Sequence, residues 1–223
     1  MTENKTYPSP TQLVLEFHRT YGQPIRTEPV YDIPEKLLRS ELILEEASEF
    51  WEANKANDLV EMADALADLV YVAAGAAITH GVDLESSFGG LEQSPAEVLK
   101  VVHKRQKQKI RPFPTLNVLT RNMTASGLNK AAVAYDNYVR NNAEGDPDQI
   151  RSLLTTIVSS CYFASFSLGI DLDDVLEEVQ RSNMSKLGED GKPVYRADGK
   201  VLKGPNFSQP DIATVLRRQG WKG

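Results

Sequence analysis

The stretch Glu41–Val72, ELILEEASEFWEANKANDLVEMADALADLVYV, decides how this chain is read. Its apolar residues recur at helical spacing and break once, at Asn57-Asp58, so two consecutive helices are expected. The first runs from about Glu35 to Ala56, with Leu38, Leu42, Phe50 and Trp51 among its apolar residues. The second runs from about Leu59 to Thr79, capped by Asp58 and ended near Gly81. It is apolar almost all round, which predicts a buried helix.

Acids nevertheless recur inside this pair at a fixed rhythm. Residues three and four apart share a helix face. Glu45, Glu46 and Glu49 therefore form one patch, and Glu61, Asp64 and Asp68 form one stripe. Burying unpaired carboxylates is costly, and like charges at this spacing repel. A cation between the two helices accounts for both rows. An all-oxygen donor set suits Mg²⁺ or Mn²⁺. It does not suit zinc, because no His or Cys stands beside it. A di-iron bundle would need Glu-x-x-His pairs, and His18, His80 and His103 have no such spacing. On the first helix alone, a solvated face of Glu41, Glu45, Glu49 and Glu52 paired with lysines is an equal account. On the second helix the acids have no basic neighbours in sequence.

Working outward, Ser9-Pro10 begins another helix carrying Leu13, Leu15 and Phe17, and Gly22-Gln23-Pro24 ends it. Residues 86–127 are less regular and hold the basic run KVVHKRQKQKIR, Lys100–Arg111, then Pro112 and Pro114. Its ordinary reading is a solvated helix face and linker; the other is a surface that attracts polyphosphate or a partner. The tail GEDGKPVYRADGKVLKGPNF contains two Asp-Gly pairs, and Asp198-Gly199 sits between short alternating segments. That pattern predicts a β-hairpin. Strand-like alternation is scarce elsewhere, so the class is all-α, a helical bundle with a small C-terminal hairpin.

Sliding the chain by 88 positions exposes an internal match. Gly81–Leu84 falls on Gly169–Leu172, Leu66 on Leu154, Val70 on Val158, Asp58 on Asp146 and Asn54 on Asn142. Two amphipathic helix pairs also match by chance, but here helix, break, helix and terminal Gly agree together. Residues 127–185 are expected to be a diverged copy of 39–97. Glu45, Glu46, Glu49, Glu61, Asp64 and Asp68 fall on Val133, Ala134, Asn137, Gln149, Ser152 and Thr156. The second copy keeps the apolar pattern and loses the acids, which points to chemistry rather than folding as their purpose. The expected division is an acid-bearing half at 36–88, a linker with a basic helix at 89–126, a degenerate half at 127–187 and a tail at 188–223, all in one domain.

The 223 residues suffice for one core or two small ones. A net charge of −6 and a pI near 5.2 argue against a duplex nucleic-acid binder. The single cysteine, Cys161, cannot form an intrachain disulfide. The opening MTENKTYPSP lacks the layout of a signal peptide, and no apolar run is expected to span a membrane. A cytoplasmic protein is the expectation.

The pattern EExxE (Glu45, Glu46, Glu49), eleven residues, then ExxD (Glu61, Asp64) resembles the signature of the all-α nucleoside triphosphate pyrophosphohydrolases. That superfamily includes MazG-like proteins, dimeric dUTPases and phosphoribosyl-ATP pyrophosphohydrolases. DALADLVYVAAGAAITHGVDL also resembles MazG-like proteins, and RSNMSKLGEDGKPVYRADGKVLKGPNF is similar to the tail of phage-encoded members. The resemblance spans most of the chain apart from about 86–127.

It implies hydrolysis of a nucleoside triphosphate between the α and β phosphates. Glu46, Glu49, Glu61 and Asp64 would ligate Mg²⁺, with Mn²⁺ able to substitute, and Glu46 or Glu45 would take the proton of the attacking water. Asp68 would support the ligands or touch the sugar. Asn183 and Lys186 would contact phosphate, with Arg196, Lys200 and Lys203 as weaker candidates, each alone being an ordinary surface charge. Shifted back by 88, SNMSK falls on Ser94–Val98, without Asn or Lys. A fused pseudo-dimer follows, with metals in one half and a phosphate clamp in the other, assembling into a dimer. The rivals are phosphoribosyl-ATP hydrolysis and a catalytically idle nucleotide-binding module. The base is open. Phe17, Tyr21, Trp51 and Tyr71 are stacking candidates that serve equally as core, and Tyr71 and Gly75 continue the acidic stripe.

Overall fold

Ser9 opens the first helix through a reciprocal cap. Its hydroxyl accepts from the Gln12 backbone N–H at 3.3 Å, and its own N–H donates to the Gln12 side chain at 2.9 Å. The computed structural model describes residues 7–85 and 118–223. Among them it has seven helices: α1 Pro10–Thr20, α2 Lys36–Ala56, α3 Leu59–His80, α4 Val118–Asn141, α5 Pro147–Leu168, α6 Leu172–Met184 and α7 Ile212–Arg218. The all-α reading holds.

Asn57, in the left-handed conformation at φ 57°, ends α2. The Asp58 carboxylate then accepts from the N–H groups of Val60 and Glu61, so two residues suffice to turn the chain back along α2. Gly81 ends α3 at φ 68°, where a Cβ would collide with the backbone carbonyl of Glu28.

Sixteen of the 22 residues of α3 are buried. The helix packs against α1, α2, α5, α6 and α7, while α4 covers the far side of α2 and α5. Its alanines let these neighbours approach closely, and Leu66, Leu69 and Val70 fill the centre with no exposed surface. By length and composition α3 qualifies as a membrane span, contrary to the expectation that no run would. Its burial among five helices accounts for that composition, since 83% of the apolar window lies inside the fold.

The tail departs from the expected hairpin. It makes one antiparallel bridge, Tyr195 with Val201, around a turn closed by Arg196 N–H to Lys200 O at 2.8 Å, and no strand forms among the described residues. Pro193 has no N–H to extend the ladder. Gly204 is drawn away, its N–H donating to Lys186 O at 3.2 Å. The tail is instead pinned across the bundle, with the Tyr195 hydroxyl donating to Tyr21 O at 2.6 Å.

At the offset of 88, α3 coincides with α5 end to end, and both have an aspartate cap before and a left-handed glycine after. α2 and α4 do not coincide: the offset would place α2 at 124–144, whereas α4 covers 118–141. The basic run 100–111 and most of the expected linker lie outside the described residues.

Candidate active site

Because α2 and α3 run back along each other, their inward stripes meet rung by rung. Glu49 lies close enough to Asp64 to repel it, as Asp68 does Glu46, and Arg39 packs on Gly75, while Leu42 and Val72 line the cleft as well. The last turn of α6 and the tail close over this seam. The result is a cleft of about 320 Å³ lined by Glu45, Glu46, Glu49, Asp64, Asp68, Asn183, Lys186, Lys200 and Lys203. Phe17, Tyr71 and Gly75 line it as well.

Its acids are in an unfavourable setting. Burial pushes the Glu46 carboxyl up to about 9, with Asp68, Glu49 and Glu45 adding repulsion and Lys200 opposing. Burial also raises Asp64 to about 7, reinforced by Asp68, Glu61 and Glu49. Asp68 rises to about 6, mainly through burial, while Lys186 opposes. One oxygen each of Glu46 and Asp64 is buried with no hydrogen-bond partner among the described residues. Buried carboxylate oxygens without donors are rare unless something positive belongs beside them. The donor set is all oxygen, so the residues fit a hard divalent cation. No three acids converge at ligand distance among the described residues, so a closed cage is not preformed; mutual repulsion favours that splay.

Positive groups face the acids from the opposite wall. Lys200 Nζ sits 2.7 Å from Glu45 Oε2. Lys186 is desolvated, which lowers its pKa, while the charge of Asp68 opposes that shift. Asn183 is buried at the end of α6, where its backbone carbonyl accepts from the Tyr21 hydroxyl at 2.9 Å. The Tyr71 hydroxyl donates to Gln180 at 2.6 Å, tying α3 to α6 beneath the lining. One side of the cleft is thus acidic and the other cationic, as a metal-bound polyanion requires.

Some expected residues stand elsewhere. Arg196 does not line the cleft. Its guanidinium is half exposed and grips Asp198 two residues on, with Nε 2.9 Å from the carboxylate, so it braces the turn. Glu61 is exposed in the first turn of α3 and reaches the site through its charge on Asp64 rather than by lining it. Tyr21 and Trp51 do not line the cleft either; Tyr21 is fully buried and stacks on Phe17 at 4.3 Å. Arg39, His18 and Gln23 line the inner end and were not expected there. Arg39 lies seven residues before Glu46, on the same stripe, so extending the periodicity backwards would have found it. His18 and Gln23 reach the cleft through the packing of α1, which carries no local signal.

The family model of phosphoribosyl-ATP pyrophosphohydrolase matches residues 14–95, a span that includes α2, α3 and every acid of the cleft. Residues 14–95 thus belong to the MazG-like nucleotide pyrophosphohydrolase superfamily, a class of hydrolases. The chain is 30% identical over 188 residues to uncharacterized protein L479 of Acanthamoeba polyphaga mimivirus, an alignment covering 79% of this chain and 70% of that protein. No solved structure matches the chain.

Proposed function

We propose that this protein hydrolyses a (deoxy)nucleoside triphosphate to its monophosphate and pyrophosphate, using Mg²⁺. The observation that carries the reading is the pairing of orphaned buried oxygens on Glu46 and Asp64 with a facing wall of Lys186, Lys200 and Lys203. Glu46, Glu49 and Asp64 line the cleft and would hold the metal, and Glu61, exposed in the first turn of α3, would complete the set by turning in. When bound, Mg²⁺ neutralises phosphate oxygens and makes a nearby water more acidic.

The chain's own residues do the rest. Lys186 and Asn183, with Lys200 and Lys203, bind and orient the phosphates, and Asp68 fixes Lys186 through its charge. A phosphorus–oxygen bond of the α–β bridge breaks while water supplies the replacing oxygen. The proton it sheds passes to Glu46 or to its neighbour Glu45. Catalysis is then chiefly positioning and charge compensation.

The coincidence of α3 and α5 in bounds and caps supports a fused pseudo-dimer, in which the α5–α6 half supplies the clamp. Association with a second copy is part of the proposal. Met123 and Phe163, exposed at 67% and 57%, supply apolar surface for it. The setting is cytoplasmic, within a host cell if the gene is viral or phage-borne, and the role is control of nucleotide pools.

A second reading, hydrolysis of phosphoribosyl-ATP at the same bond, is favoured by the description of the matching family. An idle nucleotide-binding module leaves the costly acids without a purpose. Pyrophosphate release with Mg²⁺ across all eight NTPs and dNTPs and phosphoribosyl-ATP, with Glu46→Ala as control, decides among them. Release from an NTP or dNTP, lost in the variant, is expected. Release from phosphoribosyl-ATP alone selects the second reading, and binding without any release selects the idle module.

A further inference from the structure

The cleft continues past the carboxylates, and its inner end differs in chemistry from its mouth. Along α2, Arg39 follows Glu46 by seven residues inward; along α3, Gly75 follows Asp68 by seven. At 1.5 Å per residue this is a step of about 10 Å, the reach of a ribose and its base. Between the two levels the lining is apolar, with Leu42 and Val72 on the α2–α3 seam and Phe17 and Tyr71 beside them. Phe17 stands edge-on to Tyr71 at 5.7 Å. Flat apolar walls of this kind accept a planar ring.

At the closed end sits a buried cation. Arg39 is 6% exposed, and its Nε has no hydrogen-bond partner among the described residues. Its Nη2 donates to Gln23 Oε1 at 3.3 Å, and Gln23 Nε2 in turn donates to Gly199 O in the tail, so the guanidinium is aimed from behind. Glu35, an acid whose charge acts on Arg39, is held by Arg26 at 3.1 Å. A buried guanidinium without a carboxylate is costly unless something rich in acceptors comes to it. Gly75 lets His18 and the guanidinium settle directly onto α3, where a Cβ would stand 3.3 Å from His18 Nε2 and 3.6 Å from Arg39 Nη1.

We infer that the inner end of the cleft is a base-recognition subsite, in which Arg39, aimed by Gln23, donates to the keto edge of guanine, uracil or thymine. Adenine and cytosine present an amino group at the same edge, which cannot accept from a guanidinium. The inference rests on the triphosphatase reading and deepens it by naming the substrate class. Arg39 is a specificity residue; it touches the base and takes no part in the bond cleavage.

The test uses the full-length protein with Mg²⁺ and the α,β-methylene triphosphates of four bases, guanine, uracil, adenine and cytosine, with affinities read by calorimetry. The keto-bearing analogues are expected to bind about 10- to 100-fold more tightly than the amino-bearing ones. Arg39→Lys keeps the buried charge but loses the fork. It is expected to weaken the keto analogues and leave the amino analogues nearly unchanged, erasing the preference, with an unaltered thermal melt. Arg39→Gln is expected to erase it too. Equal affinity for all four bases in the wild type, or a preference for adenine or cytosine, overturns the inference and leaves the triphosphatase reading standing. A uniform loss with all four analogues in Arg39→Lys also overturns it, assigning Arg39 to phosphate or to structure. Absence of binding by any analogue removes the triphosphatase reading, and the subsite with it.

Discussion

Replacing Asp64 by Asn should make the metal-free protein more stable at pH 8 while destroying its response to Mg²⁺. Burial and neighbouring acids move this carboxyl from 3.8 to about 7. The folded state therefore keeps its proton where the unfolded chain has already lost it. Stability from this group is full below pH 3.8 and declines as pH rises towards 7. Above both values the penalty corresponds to about 4 kcal/mol if the group acted alone. Asp68, Glu61 and Glu49 share the strain and relax when one charge is removed, so about half, or about 2 kcal/mol, is expected from the substitution. For a chain of this length that is a rise of about 4–8 °C in melting temperature. The assay is thermal denaturation in EDTA at pH 4 and pH 8, repeated with Mg²⁺. The gain should shrink to nearly zero at pH 4. With Mg²⁺ the wild type should melt higher than in EDTA, and the variant should not. A variant no more stable than wild type at pH 8 in EDTA would refute the claim that the acid row strains the fold.

Three further outcomes follow from particular contacts. His18 is held neutral, its pKa pushed down to about 4 by burial and by Arg39, while its Nδ1 donates to Pro24 O at 2.8 Å. Its share of stability should be intact above pH 6.5 and lost as pH falls from 6.5 to 4, and His18→Gln should flatten that slope in urea titrations. Gly81→Ala should cost more than about 1 kcal/mol in the same titrations, because a Cβ at φ 68° meets the Glu28 backbone. Lys200→Met should alter stability by no more than about 1 kcal/mol, since its ion pair with Glu45 is partly exposed. It should raise KM for the triphosphate with little change in kcat, which steady-state kinetics would resolve.

The helices were legible where local chemistry is decisive. Asp58, Gly81 and the apolar rhythm of Leu59–His80 each specify a boundary or a face without help from distant residues, and the structure follows them to within a residue. The acidic stripes were legible for the same reason, because periodicity alone aligns Glu46 with Glu49 and Asp64 with Asp68. Arg196 was misjudged because a basic residue in a tail looks alike whether it faces a ligand or braces its own turn. Only the direction of the guanidinium, turned to Asp198 two residues on, separates the two. The hairpin failed because Asp198-Gly199 encodes the turn, while the ladder beyond it depends on where Gly204 is pulled. His18 and Gln23 became cleft residues through the docking of α1, a long-range event with no signature in their neighbourhood.

The central helix has no idle side. Five helices lean on α3, and its remaining face forms the floor of the cleft. Inserting or deleting a single residue there would rotate everything beyond it by about 100°. Carboxylates would then turn into the hydrocarbon interior and alanines into the cleft, a change no compensating substitution could absorb locally. What the cleft accepts can therefore change only through its other walls: α1, the stretch of α2 around Arg39, the end of α6 and the tail. Variation among descendants of this scaffold should gather in those segments, while the length of α3 stays frozen.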